Sequence, residues 1–84
     1  MSDYAYALGE EAVRAFTALS LNQRKHLLRE FDRLARLPYQ IGDYRESGAS
    51  GRIYEAKLAD ETLVTWWSDH AAKEVRIVRI ELVE

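Results

Sequence analysis

RIYEAKLADETLVTWWSDHAAKEVRIVRIEL, residues 52–82, decides the fold. Arg52 to Leu58 alternates between two faces, as a half-buried strand does. Ala59-Asp60-Glu61 reads as a turn. Leu63 to Ser68 is rich in strand-forming residues, with Val64, Thr65, Trp66 and Trp67 in succession. Asp69 to Ala72 turns again, and Glu74 to Leu82 is the last strand. Three strands with such short joins predict an antiparallel meander.

Upstream the period changes from two to helical. Ser20-Leu21-Asn22-Gln23 matches a capping box, a serine cap with glutamine three residues on. The helix it starts carries Leu27, Phe31 and Leu34 at i, i+4 and i+7, widened by Leu28 and Ala35. Pro38 ends it, because the residue before proline resists helix. A shorter helix precedes it over 10–19, with Glu10 and Glu11 in its first turn and a stripe of Ala12, Val13, Ala15, Phe16 and Leu19. So short a join makes the two an antiparallel hairpin. Tyr4 to Leu8 reads as a first strand. Tyr39 to Gly51 has loop chemistry, with a short edge strand near Asp43 to Glu46. The order is β-α-α-β-β-β. The class is α+β, a helical hairpin packed on one face of an antiparallel sheet.

The 84 residues hold one domain, spanning 1–84, with a thin core. The absence of cysteine excludes disulfides and thiolate metal sites and points to a reducing compartment. The start lacks the basic and apolar regions of a signal peptide, and no apolar run approaches the ~20 residues that span a bilayer. A cytoplasmic protein without membrane contact is expected. The net charge is −2, so the chain as a whole does not read as a nucleic-acid binder. Charge is unevenly spread, however. Arg24, Lys25, Arg29, Arg33 and Arg36 stand against only Glu30 and Asp32.

The element order, with AFTALSLNQRKHLLREFDRLARLP (15–38), GRIYEAKL (51–58) and LVTWWSDHAAKEVRIVRIE (63–81), resembles the RelE/ParE toxin superfamily of bacterial type II toxin–antitoxin systems. The resemblance covers nearly the whole chain. It implies one of two activities. RelE-like members cleave messenger RNA in the ribosomal A site, and ParE-like members inhibit DNA gyrase. Both kinds are held by a cognate antitoxin whose flexible segment wraps the toxin. In the nuclease members the catalytic groups lie on the open sheet face and in the C-terminal tail. This chain differs in ending Glu81-Leu-Val-Glu84, without a basic or aromatic residue there. A third expectation follows, a catalytically inactive interaction module of the same fold.

Metal-free RNA cleavage needs a 2′-hydroxyl deprotonated, phosphorane charge stabilised and a leaving oxygen protonated. Alternation puts Glu55 and Lys57 on one face with Ile53, and Arg52, Tyr54, Ala56 and Leu58 on the other. The second set is the more apolar and is expected in the core. Glu55 then becomes a candidate base, and Lys57 and Arg52 candidate phosphate contacts. The same residues equally make a cross-strand ion pair. In the last strand Arg76, Val78, Ile80 and Leu82 share the face expected against the helices. Arg79 faces the open side with Glu81. A bulge between Arg76 and Arg79 would instead bring both to the open face. The catalytic set expected is Arg52, Glu55, Lys57, Arg76 and Arg79.

Adjacent Trp66 and Trp67 must face opposite ways. One belongs to the core; the other, assigned as Trp66, stacks on a base or fills a groove for an antitoxin. The RNA-binding group expected is Arg24, Lys25, Arg29, Arg33, Trp66, His70 and Lys73. The helical cations serve as well as a solvated face or a contact for an acidic antitoxin. No ligand spacing for a metal and no phosphate-binding glycine loop is present, so no cofactor is expected. The partners expected are an antitoxin, the ribosome and its message, or gyrase. The exposed edge strand permits a homodimer or a toxin–antitoxin hetero-oligomer.

Overall fold

Ser20 begins the longer helix as its spacing requires. Its hydroxyl accepts from the Gln23 amide at 3.2 Å, and the Gln23 side chain accepts from the Ser20 amide at 2.9 Å. The computed structural model describes residues 3–48 and 50–83, so Ala49 of the expected loop and Glu84 of the acidic tail lie outside it. The elements are β1 (Ala5–Leu8), α1 (Glu10–Thr17), α2 (Leu21–Arg36), β2 (Tyr44–Ser47), β3 (Ile53–Ala59), β4 (Thr62–Asp69) and β5 (Glu74–Leu82). They follow the expected β-α-α-β-β-β order, with the short edge strand β2 standing as a further element before the meander, and the class is α+β.

The strands form one sheet in the order β1-β5-β4-β3-β2. The meander β3-β4-β5 and the edge strand β2 are antiparallel, whereas β1 runs parallel to β5. The sheet is therefore mixed. Gly42 fits before β2 because a Cβ there would lie 2.4 Å from the Ala56 carbonyl oxygen. Only glycine permits that backbone approach.

Both helices cover one face of the sheet. Ala12 and Leu19, with Leu27, Phe31 and Leu34, close over Val64, Trp66, Val75, Ile77 and Ile80. The Phe31 ring meets Phe16 of α1 and Tyr6 of β1 at 6.1 and 5.5 Å. Burial of large side chains such as Phe31 and Trp66 is the main stabilising term, about 1.5–3 kcal/mol for each fully buried aliphatic or Phe-sized residue. Val13 and Leu28, expected in the core stripes, are instead 44% and 43% exposed. They fall at the borders of their stripes, beyond the reach of the sheet.

Candidate functional site

Two strands turn their faces differently from the simple alternation. In β5, Thr65 of β4 lies opposite Arg79 while Trp66 lies opposite Ile77, so Val78 is an extra residue. This is the bulge. Val75, Ile77 and Ile80 reach the core, and Arg76 and Arg79 both reach the open face. The regular grouping of Arg76 with Val78 and Ile80 is thereby corrected. Core packing forces the change, since burying Ile77 and Ile80 three residues apart needs one extra residue between them.

In β3 the expected faces are exchanged. Lys57 lies opposite buried Val64 and pairs with Glu30 of α2 at 3.2 Å, so it faces the helices. Glu55 shares that side. It accepts from the Gly42 amide at 2.9 Å and pairs with Arg45 at 3.0 Å. Tyr54, Ala56 and Leu58 face the open side. The reason is position. β3 lies two strands out from β5 in the sheet order, where the end of α2 and the 37–43 loop cover it, so its covered face holds polar groups.

The open face gathers two arginines around an indole, with a third, Arg79, further along the same face. The Arg52 guanidinium lies 3.8 Å from the Trp67 ring centre and Arg76 5.6 Å from it. Arg76 also pairs with Asp69 at 3.5 Å and Glu74 at 3.2 Å. Arg79 pairs with Glu46 at 2.7 Å and Glu81 at 2.9 Å. The Glu46 hydrogen bond, reinforced by the charges of Glu46 and Glu81, raises the Arg79 pKa above the ordinary arginine value. Tyr54 and Arg79 line a hollow of 280 Å³ with Glu11, Glu46, Gly48 and Val78. Three cations thus stand among four carboxylates, Glu46, Asp69, Glu74 and Glu81. The face offers bidentate donors without net positive charge, one carboxylate outnumbering the guanidinium groups.

The other expected residues lie elsewhere. Trp66 is 2% exposed in the core, which corrects its assignment as the outward tryptophan. Arg24, Lys25, Arg29 and Arg33 lie on α2, across the sheet from Arg76 and Arg79. Arg24 is half-buried and Arg33 lies 3.7 Å from Glu30, while Lys25 and Arg29 face solvent. Lys73 pairs with Asp3 at 3.4 Å. His70 lies against Tyr39, ring centres 4.5 Å apart and planes at 11°, and its Nδ1 is 2.6 Å from the Tyr4 hydroxyl. Sequence reasoning missed Glu46, Tyr54 and Trp67 as members of the open face. The signal available for Trp67 was its neighbour, since one tryptophan of the pair had to leave the core.

Among the described residues no group of three or more His, Cys, Asp or Glu is placed to hold a metal ion. No helix among them is long and apolar enough to cross a membrane.

The fold is that of solved RelE toxins. It superposes on the archaeal RelE–RelB complex from Pyrococcus horikoshii OT3 with a TM-score of 0.71 at 16% identity, covering 94% of this chain and 93% of that one. It superposes on the intact E. coli RelBE toxin–antitoxin complex with a TM-score of 0.66 at 13% identity, covering 96% and 98%. No protein-family model matches the chain, and no curated protein matches it in sequence.

Proposed function

We propose that this chain, with its RelE-type fold, is the toxin of a toxin–antitoxin pair and cleaves messenger RNA on the ribosome. The supporting observation is the β5 bulge, which sets Arg76 and Arg79 on one face with Arg52 and Trp67. In this reading the three guanidinium groups hold the scissile phosphate and spread the charge of the phosphorane. Trp67 supports a neighbouring base. Glu55 and Lys57 drop out of the catalytic set, because they face α2 and the loop. Glu46, already bonded to Arg79, takes the place of base. The 2′-oxygen loses its proton to Glu46 and attacks phosphorus; the bond to the 5′-oxygen breaks, that oxygen takes a proton from solvent water, and Glu46 returns its own to solvent. The products are a 2′,3′-cyclic phosphate and a 5′-hydroxyl, and no metal is required. A cognate antitoxin restrains the protein in the cytoplasm.

A second reading is favoured by one observation. The arginines carrying the proposal are held by carboxylates of the chain itself, Arg76 by Asp69 and Glu74, and Arg79 by Glu46 and Glu81. Such a face suits an interaction module without cleavage.

The test is translation of a defined message in a purified system, followed by primer extension. New 5′ ends at A-site codons are expected, absent without ribosomes and lost in R79A and R76A. Intact message with unchanged partner binding selects the module. Intact message with inhibited gyrase supercoiling moves the assignment to a ParE-like activity.

A further inference from the structure

Tyr39 is three-quarters exposed, at 76%, yet its ring is held in place. One face lies flat on His70, and the edge of Tyr4 closes on both rings at 5.6 and 6.4 Å. Tyr4 is itself tied to His70 through the 2.6 Å contact of its hydroxyl. Pro38, next to Tyr39, is anchored by its carbonyl, which accepts from the Ser68 hydroxyl at 2.7 Å. The entropy of ordering this aromatic has already been lost on folding, and the ring still presents itself to solvent. Such a side chain is a preformed platform, and preorganisation raises affinity for whatever stacks on it.

The surroundings select the ligand. Tyr39 separates two surface hollows. One, of 250 Å³, exposes mainly polar groups of Gln40, Ser68, His70 and the Arg45–Glu55 pair, with Ile41 and Ile53 between them, and runs to Trp67. It is smaller than the about 300–1,000 Å³ of drug-sized pockets, and its lining is too polar for an apolar helix. The other hollow is walled mainly by Leu37, Pro38 and the Tyr39 ring, with Arg36, paired to Asp32 at 2.9 Å, at its border. A flat ring with hydrogen-bonding edges, carried on an anionic chain, satisfies the aromatic, the polar lining and the flanking guanidinium groups together. Arg52 over Trp67 marks the nearest end of the open face, at the margin where β4 turns into β5.

We propose that the Tyr39–His70 stack is a nucleobase-binding platform for single-stranded RNA, adjoining the arginine face at the end of the sheet. The inference deepens the functional reading above and rests on it for the identity of the strand. A chain passing the β4–β5 margin places one base on Tyr39 and its neighbouring phosphates near Arg52 and Arg76.

The experiment uses a fluorescent, uncleavable 2′-O-methyl hexaribonucleotide and reads binding by anisotropy. Y39A is expected to weaken binding roughly 5- to 100-fold, the range that one lost base–aromatic stack spans. Y39F and Y39W hold affinity within about threefold, because each keeps a flat ring. An oligonucleotide with one abasic position loses the same factor against the wild type and no more against Y39A. The salt dependence is unchanged in Y39A and shallower in R76A. Equal binding by Y39A and wild type overturns the platform, as do additive losses in that cycle. Displacement of the oligonucleotide by an equimolar amount of adenosine monophosphate overturns the assignment to a strand. A melting curve confirms that Y39A is folded. A protein that binds through Tyr39 and leaves messages intact keeps the platform and loses the cleavage reading.

Discussion

Arg79 on β5 and Glu46 on β2 are hydrogen-bonded at 2.7 Å, across 33 residues of sequence and the two strands between them. Beneath that bridge the register places Thr65 opposite Arg79 and Ala56 opposite Thr65. Both are short and both are buried, Thr65 to 0% and Ala56 to 6% exposure, on a face that no helix covers. The ion pair is their roof, and among the described residues the Thr65 hydroxyl under it has no hydrogen-bond partner. Both charged side chains remain more than a third exposed, so E46A is expected to cost at most about 1 kcal/mol in urea denaturation. Its effect on RNA is the opposite. One carboxylate leaves and the Arg79 Nη2 group that it held is released, while Glu81 keeps its 2.9 Å contact with the same guanidinium, so affinity for a single strand rises and the salt slope steepens by at most about 0.7. Unchanged affinity would show that Arg79 does not meet phosphate.

Deleting Val78 is expected to leave the fold intact. Without it β5 alternates regularly, with Val75, Ile77, Ile80 and Leu82 inward and Arg76, Arg79 and Glu81 outward. Stability should fall by no more than about 1–2 kcal/mol, a moderate value for a single change. A deletion in an unbulged strand would turn every later side chain to the wrong face and unfold the protein. Thermal denaturation followed by circular dichroism separates the two outcomes.

The adjacent tryptophans should part company. W66A empties a core position and is expected to cost about 3–5 kcal/mol. W67A removes a half-exposed ring and its guanidinium contacts, with a cost of about 0.5–1 kcal/mol from the latter. Growth arrest on expression, scored below the melting temperature of each variant, should fail in W67A.

Lys57 is expected to be structural. K57A leaves Glu30, whose side chain is 14% exposed, with Arg33 at 3.7 Å as its remaining ion-pair contact. The cost should be about 1–3 kcal/mol by urea denaturation. Affinity for the hexaribonucleotide should stay at the wild-type level, whereas R52A lowers it. Loss of affinity in K57A with stability intact would return Lys57 to the proposed RNA-binding set.

Alkaline stability tests the Tyr4 cluster. Burial, then Tyr39 and the charge of Asp69, raise the Tyr4 pKa above the ordinary tyrosine value. A raised folded-state pKa means stability that is fully present below the unfolded value, about 10, and lost as pH climbs through the folded value. Melting temperature should therefore fall above pH 10, and less steeply in Y4F. Parallel profiles for the two proteins would remove Tyr4 from the linkage.

Local chemistry was legible in the chain. The Ser20–Gln23 box, the Pro38 stop, the β-formers of Leu63 to Ser68 and the two short turns each act within a few residues. Their spacing determined the elements, their order and the α+β class. Faces were harder to read. Alternation assigns the more apolar side of a strand to the core, which holds only where helices lie over the whole strand. β3 sits toward the sheet edge, so Lys57 went under α2 and Tyr54 went outward. In β5 the residues allowed either a regular strand or a bulge. The choice fell to packing, because Ile77 and Ile80 both gain more from burial than the ladder loses at Val78. Which carboxylate holds which arginine, and which ring holds Tyr39 flat, depend on contacts made between distant parts of the chain. Those contacts exist only once the sheet has set its register.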